Sequence, residues 1–229
     1  MKDNIDLKVL RALPYAVFTM FISIMFSMAG LIVRIITSGS VSDSALYQMD
    51  SNIYMICYFI MYVAVVLIMS FLYEMSNISK WFGYACTTTL VFILSETVDF
   101  VVRWAVRYID NYMIKMALVV ISEIIPSLCI VFLVIFILHG MIELYMLMDK
   151  EKKALKCKRF RVYCIIAFAL QILLSALASA SNQNNRIFIF FIVTAGAIYI
   201  FNLIIIYFLY GRIKTFCYDF YLYSYNSGR

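Results

Sequence analysis

Six apolar segments, each long enough to cross a bilayer, fill most of this 229-residue chain, and short polar joints separate them. They cover residues 12–33, 53–73, 81–102, 116–138, 162–181 and 187–210. A helix needs about 20 mostly apolar residues to traverse the hydrocarbon core, where no backbone polar group can be left bare. Hydrophobic residues make up 65% of the chain and charged residues 14%. Soluble domains run near about 45–50% and about 25%. The joints are too short to hold a soluble domain with its own core. The sequence therefore predicts an all-α integral membrane protein. One bundle of six transmembrane helices occupies residues 1–211, and a cytoplasmic tail follows at 212–229.

Basic residues orient such a bundle, because Lys and Arg collect on cytoplasmic loops. With the N-terminus inside, the inner segments carry Lys2, Lys8, Arg11, Lys80, Lys150, Lys152, Lys153, Lys156, Lys158, Arg159, Arg161, Arg212, Lys214 and Arg229. That is 14 of the 19 basic residues. Arg34, Arg103, Arg107, Lys115 and Arg186 fall at the outer ends. One helix more or fewer would scramble this alternation, so both termini are expected to be cytoplasmic, in the cell (plasma) membrane. The first apolar run is too long for a signal-peptide core and is expected to stay as the first transmembrane helix.

The run from Lys150 to Arg161 carries most of the net charge of +6. It reads as an orientation signal, or as a surface for anionic lipid headgroups. Nucleic-acid binding is not expected, since no basic domain stands outside the membrane. The tail places Ile213, Phe216, Cys217, Phe220 and Tyr221 at i, i+3, i+4, i+7 and i+8. That stripe predicts a short amphipathic helix on the inner leaflet, or one that docks a partner. The apolar outer faces of so small a bundle suggest a homo-oligomer or a partner membrane protein.

Ionisable side chains inside a bilayer need a partner, water or a task. Helix three carries Glu96, Asp99, Arg103 and Arg107 within about 80° of arc. Asp99 and Arg103 stand at i,i+4 and can pair. Glu96 has no basic residue one turn away. Glu123 on the inward-running fourth helix falls in the same outer half, and Arg34 ends helix one on that side. Gln171, Ser175 and Ser179 add polarity on helix five. The functional reading is a polar site for an ion or small charged solute, built from Glu96, Asp99, Arg103, Glu123 and Arg34. The structural reading is an ion-pair network that fixes helix packing.

His139 and Glu143 share a face at the inner end of helix four, as a proton-handling or hydrogen-bonded pair. One histidine and one carboxylate are too few ligands for a metal. The six cysteines include no C-x-x-C pair, and none falls in an outer loop, so they are expected to pack as small apolar residues. Pro126 lies inside helix four and should perturb it near Ser122. No H-E-x-x-H, G-x-S-x-G, P-loop or dinucleotide fingerprint occurs, so neither enzymatic chemistry nor a cofactor is indicated. Two classes of function follow: transport through the outer polar site, or a sensor or regulatory subunit that recruits partners through its basic linker and aromatic tail.

Overall fold

A computed structural model describes residues 12–23, 44–105, 108–109, 111–180 and 185–227. The described residues form six helices and no strand: α1 (Ala12–Ser23), α2 (Ser44–Ser76), α3 (Lys80–Ala105), α4 (Tyr112–Leu147), α5 (Glu151–Ala180) and α6 (Asn185–Ser227). Three of them contain stretches long and apolar enough to cross a membrane: Phe59–Ser76, Ile124–Leu147 and Ile200–Asn226.

Several helices outrun their apolar segments. α2 starts at Ser44, α5 at Glu151, and α6 continues through Gly211 to Ser227. The reason is local. Residues 151–161 are Glu, Lys, Ala, Leu, Cys, Arg, Phe and little else, mostly strong helix formers with no Gly or Pro to stop the helix. The basic run is therefore three turns of helix rather than a flexible linker. α4 likewise runs through Pro126 without a break in its assignment.

The chain divides into two compact units. The first holds α1, α2 up to Phe71, and α6 from Ile206 onward. Its buried stripes keep helical spacing: Leu13, Ala16, Val17, Met20 and Phe21 on α1, Met61, Ala64, Val65 and Ile68 on α2, and Ile206, Leu209, Ile213, Phe216, Cys217 and Phe220 on α6. α1 touches α6 through Tyr15 and Phe18, whose rings lie 5.9 and 5.3 Å from that of Tyr210. The tail's expected apolar stripe is thus covered by protein. Its exposed face carries Tyr218, Tyr223 and Tyr225.

The second unit runs from Leu72 to Ile205. α3 packs on α4, and α4 packs on α5. α4 therefore buries two stripes, Leu133–Ile137–Met141–Leu144 and Val134–Leu138–Tyr145, while α3 buries one, through Phe82, Ala85, Thr89 and Phe92. α5 alternates small and aromatic residues on its covered side: Ala154, Cys157, Phe160, Cys164, Ala167 and Phe168. The cysteines act there as small packing residues, as close helix approach in lipid favours.

Short turns fix the sequence of neighbours. α4 closes with the N–H of Lys150 donating to the carbonyl of Tyr145 at 2.8 Å and that of Asp149 to Met146 at 3.1 Å. Asp149 takes φ of 56°, the left-handed conformation this helix end needs. The carbonyl of Lys150 then accepts from Lys153 and Ala154, which starts α5 at once. A connection this short makes α4 and α5 antiparallel neighbours.

At Gly140, α4 leaves room for a side chain of α3. A Cβ there would lie 2.7 Å from the ring of Phe82, which is fully buried. Gly140→Ala should therefore cost about 1–3 kcal/mol of stability. Much of that loss should be recovered in the double variant with Phe82→Leu. Equilibrium unfolding of the four proteins in mixed micelles measures the coupling, and additive losses would show that the two residues do not meet.

Candidate functional site

Polar contacts join α3 to α4 near both ends of α3. Ser79 precedes α3 as its cap. Its Oγ accepts the N–H of Trp81 at 3.3 Å and donates to Glu143 Oε2 at 2.5 Å. A serine is suited to both tasks, since its hydroxyl accepts and donates at once. Toward the other end of α3, Ser122 Oγ donates to Asp99 Oδ1 at 2.6 Å, and both residues are buried. The pairs share one antiparallel register, because each step forward on α3 is matched by a step back on α4.

Their spacing is informative. Asp99 lies ~29 Å along α3 from its first residue, and Ser122 lies ~31 Å along α4 from Glu143, at 1.5 Å per residue. The hydrocarbon core of a bilayer is about 30 Å thick. The two contacts are thus separated by about one bilayer thickness along the seam, with Glu96 and Cys129 between them. Glu96, one turn before Asp99, is half-buried and lies near Cys129 of α4. Arg103 and Glu123 lie on α3 and α4, with side chains outside the described residues, as is Arg34 altogether. Of the five expected site residues, then, Asp99 is joined to Ser122 and Glu96 approaches the same α3–α4 seam.

The Ser79 end of the seam gathers more chemistry. His139 Nδ1 lies 2.7 Å from Arg161 Nη1 on α5. A guanidinium only donates, so Nδ1 accepts and the ring proton sits on Nε2. The imidazole also stacks on Trp81, with centroids 3.9 Å apart and planes 19° from parallel. Lys80 Nζ stands 5.7 Å from the Trp81 ring centroid, within cation–π range. The expected pair His139 and Glu143 stands close together, but each side chain hydrogen-bonds elsewhere. Glu143 is near enough to act on the histidine electrostatically, but its hydrogen bond goes to Ser79 and that of His139 to Arg161.

A third polar contact lies between. Asn202 on α6 is fully buried, and its Nδ2 donates to Gln171 Oε1 on α5. Its Oδ1 has no partner among the described residues. Gln171 is ~15 Å along α5 from Arg161. The sequence reading passed over Asn202, Ser79 and the hydroxyl of Ser122. The one signal for Asn202 was a lone amide in an otherwise apolar segment. Among the described residues, no group of three or more His, Cys, Asp or Glu is arranged to hold a metal ion.

Comparison with known protein families, characterised proteins and solved structures finds no match to this chain.

The two α3–α4 contacts should act independently. Ser122→Ala should cost about 0.5–2 kcal/mol, the range for interhelical hydrogen bonds in membranes. Ser79→Ala should cost about 1 kcal/mol more, since a helix cap is lost as well. Being ~30 Å apart, the two losses should add within about 0.5 kcal/mol. Chemical unfolding of the single and double variants reads this directly.

Proposed function

We propose that this chain is a six-span membrane protein with both termini cytoplasmic, acting as a non-transporting regulatory or sensing component. Its working surface is cytoplasmic: the basic first turns of α5 and the tyrosine-bearing end of α6. The observation that carries this reading is the exposed face of α5. Lys152, Lys156, Lys158 and Arg159 all stand exposed on three turns of helix, with Glu151 the acidic residue among them. A helical array holds these charges at fixed spacing, which suits recognition of an acidic surface better than a loose linker does. The outer acidic group argues less for transport than its composition suggests, because Asp99 is buried and engaged by Ser122. A closed contact at the edge of the bilayer holds helices together.

Transport of an ion or small charged solute is the second reading, and Asn202 favours it. An amide oxygen left without a hydrogen bond in a buried, mid-depth position costs free energy that a passing solute or a water would recover. The two readings separate on one pair of changes. In a non-transporting protein, Gln171→Leu with Asn202→Leu removes a polar pair from an apolar core and should leave stability equal or higher. In a transporter the same change should abolish flux in proteoliposomes.

Orientation is tested with single cysteines in a cysteine-free background. Asn184→Cys should react with an impermeant maleimide in intact cells, and Lys156→Cys only after permeabilisation. Labelling of Lys156→Cys in intact cells would overturn the arrangement. With orientation established, Lys152→Glu, Lys156→Glu and Arg159→Glu together should abolish crosslinking between α5 and its cytoplasmic partners while leaving the fold intact.

A further inference from the structure

Arg161 is a half-buried cation whose hydrogen bond goes to a neutral ring nitrogen. A guanidinium has five N–H donors, and His139 takes one. No carboxylate among the described residues pairs with it, and the nearest acid to His139, Glu143, holds the hydroxyl of Ser79. Lys80 is exposed beside Trp81. Both cations lie close enough to His139 to act on it electrostatically. The cluster therefore presents two positive charges and an indole, while its one nearby carboxylate, Glu143, is turned to Ser79 and pairs with neither cation among the described residues.

Its level in the fold says what supplies the anion. Along the exposed face of α5, Lys152, Lys156 and Arg159 give way to Tyr163, Ile166 and Leu170. On α3, exposed Lys80 gives way to Tyr84, Leu90 and Leu94. Both helices pass from charge to hydrocarbon at the height of the Trp81–His139 stack, which marks the headgroup boundary. Trp and Tyr favour that boundary. A phosphodiester there meets a guanidinium able to bind two of its oxygens and, across the Trp81–His139 stack, an ammonium over the indole, while its acyl chains lie along the apolar face below.

We propose that Arg161 and Lys80, beside the Trp81–His139 stack, form a seat for the phosphate of an anionic phospholipid in the cytoplasmic leaflet. The leaflet assignment rests on the orientation proposed above, while the seat itself does not. His139 is a positioning residue: by accepting from Nη1 it aims the guanidinium and leaves its other edge for the lipid. This seat is distinct from the outer basic face of α5, whose charges attract any anionic surface without shape.

Trp81 reports on the site, and Trp104 is the other tryptophan in the chain. The full chain carrying Trp104→Phe is placed in phosphatidylcholine nanodiscs with a minor fraction of brominated phosphatidylglycerol or brominated phosphatidylcholine. Quenching of Trp81 should be markedly stronger with the anionic lipid at equal fraction. Arg161→Gln and Lys80→Gln should each reduce that preference about fivefold, as expected for one basic residue at the surface. Arg161→Gln keeps a donor for His139, so the local fold survives the change. Lys152→Gln, Lys156→Gln and Arg159→Gln together should leave the preference in place. Equal quenching by the two lipids, or loss of preference in the triple variant but not in Arg161→Gln, would overturn the seat. Both leaflets of a nanodisc have the same composition, so this readout does not depend on which face is cytoplasmic. A failed orientation shows up in the maleimide labelling and a failed lipid site in the quenching.

Discussion

The antiparallel seam between α3 and α4 is the contact on which the second unit depends. In lipid, helices gain nothing by hiding apolar surface from one another, so packing and interhelical hydrogen bonds decide which faces meet. Here the hydrogen bonds from Ser79 to Glu143 and from Ser122 to Asp99 fix the register. A slide of one helical turn, about 5.4 Å, would break both at once. Gly140 sets the rotation, since its missing side chain is the space that Phe82 occupies. Length, register and rotation of the pair are thereby defined by five side chains and one absent one.

α4 transmits this arrangement to α5. The tight turn at Asp149 brings α5 back along α4 within three residues. Arg161 therefore arrives opposite His139, which the seam has already placed against Trp81. The Ser79 end of the seam becomes a junction of three helices and collects most of the convergent polar chemistry. The helical state of residues 151–161 matters as well. Ala154, Cys157 and Phe160 are buried on one side, which commits Lys152, Lys156 and Arg159 to the other.

Much of the helix layout was legible without coordinates. Apolar length and helical period are properties of single segments, and the stripe Ile213, Phe216, Cys217 and Phe220 emerged in the register expected. What covers that stripe was not legible, because a lipid surface and a protein neighbour ask for the same apolar face. Helix ends beyond the apolar runs were also hidden, as with α2 and α5, since polar helix formers read as loop when hydropathy is the guide. The acidic group was legible as residues but not as contacts. The i,i+4 spacing of Asp99 and Arg103 is local, whereas the hydroxyl partner of Asp99, Ser122, lies on another helix.

The sequence by itself determined that the chain is helical, where its apolar stretches lie and which charges are unusual. Each of these follows from the free energy of one segment in its surroundings, which composition and period express directly. Only the tertiary structure decided that Ser79 serves Glu143, that His139 accepts from Arg161 and that Asn202 is buried against Gln171. Those choices depend on the relative slide and rotation of helices whose residues stand 22 to 64 positions apart. No local pattern encodes that geometry, because it is settled by steric fit at places such as Gly140 and Phe82 that look unremarked in a hydropathy profile.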